Sequence, residues 1–277
     1  MLARLRGNNA EGRMDVLLEN KNAVIYGAGP IGGAVARAFA REGAKVFLAG
    51  RSQAKLDGVA QEILAAGGKA ETALVDALDE IAVDTHADAV AQTAGGIDVS
   101  FNAIGHGDVH GLPLIEMPFE DFARPITTAM KAQFLTARAA ARHMVTQRSG
   151  VILAITATTA RLNLPQVGGT AVTFDAIESL CRQLARELGP HGVRVVWLHT
   201  TGIPEALVDT GELGPDYGTG KPMTREEHVA WMQGQTMLNR VTSLADVANA
   251  AAFLASDQAA AMTASAANLT CGAVPTR

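Results

Sequence analysis

Cysteine is scarce: Cys181 and Cys271 are the only two among 277 residues. That is too few for a disulfide framework or a thiolate metal site, so both are expected as reduced thiols in a cytoplasmic protein. Basic runs are absent as well. Lys+Arg number 23 against Asp+Glu 28, a net charge of −5, which argues against a nucleic-acid partner. No stretch approaches the roughly 18 uninterrupted apolar residues of a membrane span. Residues 1–21 mix charges of both signs without an apolar core, so neither membrane insertion nor a signal peptide is expected. His106, His110 and His199 lack the paired spacing of metal ligands, and no metal is expected. Repeats and low-complexity linkers are missing too. Residues 1–13 read as a polar tail, with Met14 an equally good start, and 14–277 as one domain long enough to bury a substantial core.

What is present is organised around residues 22–33, a short apolar strand running into a glycine turn that opens a helix expected over 33–42. Gly27, Gly29 and Gly32 spell G-x-G-x-x-G, with Ile31 inside the turn. Such glycines serve the tight turn, close backbone approach to a pyrophosphate, and helix-on-strand packing. Backbone N–H groups and the helix dipole at that end favour a bound phosphate. A bare structural turn is the rival reading, but Lys45-Val46-Phe47-Leu48-Ala49 follows as the next parallel strand. Further apolar runs near 69–75, 97–102, 150–155, 193–198 and 266–270 alternate with helical patterns near 53–66, 79–94, 120–147, 171–188 and 243–255. That alternation predicts an α/β fold, a doubly wound parallel sheet.

Residues 47–52 contain no carboxylate to bond a ribose 2′-hydroxyl. Arg51, followed by Ser52, instead suits a 2′-phosphate, so NADP(H) is the expected cofactor. A solvated arginine is the alternative. Asp76-Ala77 and Asn102-Ala103-Ile104-Gly105 fall just beyond strands, where ligands of open sheets bind; Asp76 would otherwise be a cap or turn residue.

With Asn102-Ala103-x-Gly105 in place, residues 185–195 before strand six and 252–257 near the end, the chain resembles the short-chain dehydrogenase/reductase family over nearly its whole length. The resemblance implies that Asp76 bonds the adenine edge, that Asn102, Ala103 and Gly105 shape the cofactor site, and that the Gly202-Ile203 turn meets the nicotinamide. It also implies a substrate lid at about 202–236 and a homodimer or homotetramer built on helices 124–147 and 171–188. Their stripes, Phe134, Ala137, Ala141 and Val145 on one and Ile177, Leu180, Cys181, Leu184 and Leu188 on the other, are expected to face the core first.

The chain departs from the family at its catalytic positions. Ala129, Ala157, Thr170 and Phe174 stand where Asn, Ser, Tyr and Lys are usual, and the glycine turn is one residue shorter. Tyr217 forms a literal Y-x-x-x-K with Lys221, but Gly218, Gly220 and Pro222 make the segment a loop, in which that spacing aligns nothing. Candidate catalytic residues are therefore His106, Thr156, Thr158 and Tyr217, with His110, His199 and His228 as other titratable neighbours; Thr156 also belongs to the expected cofactor set. The sequence thus predicts an NADP(H)-dependent oxidoreductase acting on a small carbonyl or alcohol with a non-standard proton donor. The alternative is a cofactor-binding regulator, scaffold or non-redox enzyme on the same fold.

Overall fold

The computed structural model describes residues 16–207, 216–217 and 221–275. The polar tail at 1–13, and positions 208–215 and 218–220 of the expected lid, lie outside the described residues. Seven parallel strands run in the order β3-β2-β1-β4-β5-β6-β7. They are β1 (Asn22–Tyr26), β2 (Lys45–Gly50), β3 (Lys69–Leu74), β4 (Val99–Asn102), β5 (Gly150–Ala157), β6 (Val193–Thr200) and β7 (Ser265–Leu269). The strand order reverses beside β1, whose Tyr26 pairs in register with Asn102 of β4. A crevice is expected beyond the carboxyl ends at that point.

Period two divides each strand between two cores. Ala23 and Ile25 of β1 pack with α1 (Pro30–Arg41), α2 (Gln53–Ala65) and α8 (Leu244–Ala255). Val24 and Tyr26 pack on the other face with α3 (Glu80–Ala94), α4 (Phe119–Gln147) and α6 (Thr170–Leu188). Burial on both faces is why β1, β2 and β5 carry near-continuous apolar runs, whereas the edge strand β3, KAETAL, is partly exposed. Local signals set several ends. The Asp79 side chain accepts from Ile81 and Ala82 N–H, α3 stops at left-handed Gly95, and Ser243 with Asp246 forms a capping box on α8.

Three expectations need correction. α1 starts at Pro30, not at 33: proline suits the first helical position because its missing N–H would have had no partner there. Gly32 and Gly33 consequently lie inside the helix despite their poor propensity, since a Cβ on Gly32 would sit 1.9 Å from the Gly27 carbonyl oxygen. On α4, Phe134 is 45% exposed. Ala137 and Ala141 of the expected stripe are buried, and the core-facing side extends away from Phe134 through Ala129, Ala132, Leu135, Ala139 and Met144. The Phe134 ring instead carries the Arg138 guanidinium 5.5 Å from its centroid, and Arg138 is in turn held by Glu80 and Asp84. The lid region also contains a helix, α7 (Arg225–Gly234), opened by a Thr224–Glu227 capping box. A short α5 (Thr159–Leu162) precedes α6. Among the described residues no helix is long and apolar enough to cross a membrane.

Candidate functional site

At the carboxyl edge of β1, β2, β3 and β4 lies a crevice of about 460 Å³. Gly27, Ala28 and Gly29 form its floor, and Arg51, Ser52 and Lys55 its rim. Asp76, Ala77, Ala103 and Gly105 line the remainder. Gly27 adopts φ +101° and would place a Cβ 2.8 Å from the Ala103 carbonyl oxygen, so glycine is required there. Gly29, at the N-cap of α1, offers no side-chain cap and meets nothing within 4 Å. The first backbone N–H groups of α1 are thus left uncapped at the crevice, a cradle that fits a diphosphate. Ser52 likewise makes no side-chain cap for α2, so its hydroxyl joins two cations at the rim. A phosphorylated ribose matches that donor set.

Not every expected residue reaches the crevice with its side chain. Asn102 is buried, donating to Thr136 Oγ1 at 3.0 Å and accepting from Ile104 N–H at 3.0 Å, so it holds the loop after β4 from behind. Gly32 serves packing, as described above. Asp76 lines the crevice while its Oδ1 accepts from Leu78 N–H at 3.0 Å, so the turn and site placements coexist.

Inward from His106 the crevice continues into a cavity of about 310 Å³ between Ile31, Thr156, Phe174, Gly202 and Ile203. His106 stands edge-on to Phe174 with centroids 6.0 Å apart. Its pKa is lowered by burial, with Asp108 opposing. The Thr156 hydroxyl points elsewhere, into a buried cluster: it donates to Glu178 Oε1 at 3.2 Å and meets His199 Nδ1 at 3.0 Å. Arg161 adds a bond to Glu178 Oε2 at 2.9 Å. Burial pulls the Glu178 pKa upward, but hydrogen bonds and charge from His199 and Arg161 outweigh it and hold the carboxyl at about 2. Thr156 and His199 are therefore engaged in tying β5, β6 and α6 together.

A second pocket, about 210 Å³, opens between α6 and α7 and is walled by Leu164, Phe174, Trp231 and Met232, with Thr158 at its base. It shares Asp108, Ala157, Phe174, Thr201, Gly202 and Leu207 with the inner cavity. One wall of this pocket carries a chain of hydrogen bonds. Thr170 donates to Asp108 Oδ1 at 3.0 Å, which uses its only proton, so at 2.9 Å it accepts from His110 Nε2–H. Burial lowers the His110 pKa, against the opposing Asp108 charge, and keeps the ring neutral. His110 Nδ1 is then left to accept from Tyr217 O–H at 3.2 Å. Burial pushes the Tyr217 phenol up to about 12. Tyr217 stacks on Trp231, with centroids 5.7 Å apart and planes at 19°, and His228 sits 5.1 Å from it.

Sequence reasoning weighed Tyr217 for its spacing to Lys221. Lys221 is bound to Glu227 at 3.0 Å, and it is His110 that Tyr217 meets. His110 is one of the titratable neighbours named from the sequence; Asp108 and Lys55 line the pockets without having been singled out there. A basic residue one turn after Arg51 was a usable signal for Lys55, and the loop position after Asn102–Gly105 one for His110, whereas nothing local marks Asp108.

Comparison with known proteins agrees with this geometry. The family model described as enoyl-(acyl carrier protein) reductase matches residues 27–273. Gluconate 5-dehydrogenase of Gluconobacter oxydans is 30% identical over 240 residues, 86% of this chain and 89% of that protein. Secoisolariciresinol dehydrogenase of Forsythia intermedia is 32% identical over 249 residues, 87% and 84% of the two chains. Among solved structures, a gluconate 5-dehydrogenase from Burkholderia cenocepacia in complex with NADP and tartrate superposes with a TM-score of 0.80 at 23% identity, covering 94% of this chain and 97% of that one, a likeness of fold.

Proposed function

This chain belongs to the short-chain dehydrogenase/reductase family, and from that premise we propose that it is an NADP(H)-dependent oxidoreductase of small carbonyl or alcohol compounds whose proton donor is not the family's usual tyrosine. The observation that carries this reading is the wall shared by the inner crevice and the Tyr217 pocket. A carbonyl seated against Phe174 and Gly202 would face the cofactor's reactive end on one side and the hydrogen-bonded chain on the other. When bound, reduced nicotinamide supplies a hydrogen with its electron pair to the carbonyl carbon. The residues of the chain handle the accompanying proton.

Tyr217 is protonated throughout the neutral range; on meeting a carbonyl it turns its one proton from His110 Nδ1 to that oxygen and gives it to the developing alkoxide. Neutral His110, oriented by Thr170, supports the phenol. Each hydrogen bond of the chain points from Tyr217 toward Asp108, exposed at its far end, so in alcohol oxidation the chain passes a proton outward to solvent; in carbonyl reduction every bond reverses and the phenolate takes its proton back from solvent. Arg51, Ser52 and Lys55 support the choice of NADP(H), because two cations at the rim favour a dianionic 2′-phosphate. Self-assembly into a homodimer or homotetramer is part of the same reading, supported by Phe134 on α4 and Val172 on α6, each nearly half exposed; a monomer in sedimentation equilibrium would exclude it.

The test combines titration with each dinucleotide and loss of nicotinamide absorbance over a carbonyl panel. Tyr217→Phe should lower kcat by roughly 10²-fold while leaving NADPH affinity unchanged. Tight NADPH binding without turnover of any carbonyl would favour a non-redox role, and no binding of either dinucleotide would overturn the reading.

A further inference from the structure

The neck between the crevice and the inner cavity carries a single polar side chain. Ala103, Ile104, Gly105 and His106 line both spaces, and of these only the histidine can hydrogen-bond through its side chain. Its loop otherwise faces outward: Gly105 and Gly107 are exposed, and Gly107 turns the backbone at φ +76°. His106 nevertheless points inward and is only 9% exposed, with its ring held edge-on to Phe174. Among the described residues neither ring nitrogen has a hydrogen-bond partner.

The other polar side chains of the inner cavity are committed. Thr156 donates to Glu178, Thr200 to the Thr156 carbonyl and Thr201 to Thr242, while Asp108 accepts from Thr170. A polar ring buried without a partner is unfavourable, which marks His106 as a group kept for a ligand. Burial lowers its pKa and leaves the ring neutral, so one nitrogen donates and the other accepts. A hydroxyl, which does both, matches that ring; a phosphate finds no charge on it.

The neck adjoins the glycine turn, since a Cβ on Gly27 would lie 2.8 Å from the Ala103 carbonyl oxygen. A dinucleotide with its diphosphate on that turn and its reactive ring in the inner cavity would thread its second ribose past His106. From this we infer that His106 binds a hydroxyl of the nicotinamide-side ribose and so positions that half of the cofactor. The inference rests on the dinucleotide reading proposed above and adds a contact to it.

The test compares NADPH with adenosine 2′,5′-bisphosphate, which has the phosphorylated adenosine half and lacks the second ribose, by calorimetry on the full chain. His106→Leu removes both ring nitrogens and leaves a ribose hydroxyl without water or partner. It should weaken NADPH roughly fivefold or more and leave the bisphosphate within about twofold. Its Tm should not fall, because no hydrogen bond within the chain is lost. His106→Gln, which keeps a donor and an acceptor, should recover NADPH affinity to within about threefold. An NADPH analogue without the hydroxyls of the nicotinamide-side ribose should bind the unsubstituted protein and His106→Leu alike. Unchanged NADPH affinity in His106→Leu, an equal loss for the bisphosphate, or an analogue that still discriminates between the two proteins overturns the inference while the dinucleotide reading stands. Binding of neither ligand by the unsubstituted protein overturns that reading and the inference with it.

Discussion

Two residues account for much of the proposed chemistry, and each makes a prediction. Arg51 sits at the crevice rim beyond β2, where residues 47–52 hold no acid. A charge-assisted hydrogen bond to phosphate is worth about 1.5–3 kcal/mol. Arg51→Asp should therefore weaken NADPH by at least tenfold in a fluorescence titration and leave NADH within a few-fold; equal losses for both would refute the role. His110 acts through its neutral state. Once protonated, Nδ1 becomes a donor and no longer accepts from Tyr217. Since burial lowers its pKa, alcohol oxidation should hold through neutral pH and fall as pH drops through a value below the usual imidazole range. In His110→Gln that acid limb should vanish from the kcat profile, with the NADPH dissociation constant unmoved.

At the scale of elements, the glycine turn joining β1 to α1 separates packing from binding. A Cβ on Gly32 would lie 1.9 Å from the Gly27 carbonyl oxygen, a backbone atom held by β1. Gly32→Ala should force strand and helix apart and cost several kcal/mol, on the scale of overpacked cores, seen as a large fall in Tm. Gly29→Ala meets no protein atom within 4 Å. It should fold with nearly unchanged Tm and lose dinucleotide affinity, because its methyl enters the space reserved for the ligand. This turn, the strand pattern and helices α3 and α8 were legible in the sequence because their signals are local: spacing and period. The start of α1 was misjudged because packing overrode glycine's low helix propensity. Ala137 and Ala141 are buried as their spacing implies, while Phe134 falls at the exposed edge of that stripe, because a helical period fixes a face but not its width, which neighbouring α3 and α6 decide.

For the whole molecule, the buried Glu178 cluster links pH to stability. Its folded pKa of about 2 lies below the ordinary 4.5, so its contribution is complete above pH 4.5 and is lost as pH falls toward 2. A depression of that size corresponds to on the order of 3 kcal/mol, a scale appropriate to a side chain only 5% exposed. Denaturant midpoints across that range should show Glu178→Gln to be less stable at neutral pH, because the buried charge that His199 and Arg161 share is lost. The same variant should have a flatter acid limb, and an unchanged limb would remove Glu178 from the linkage.

The sequence by itself determined the parallel sheet, its order of helices and the glycine turn, since each is written in residues a few positions apart. Only the tertiary structure decided the hydrogen-bonded chain from Tyr217 to Asp108 and the pocket beside it. Tyr217 and His110 are separated by 107 positions and Thr170 from Asp108 by 62. Such pairs share no period or spacing; they meet because the sheet and α6 bring two loops to one edge.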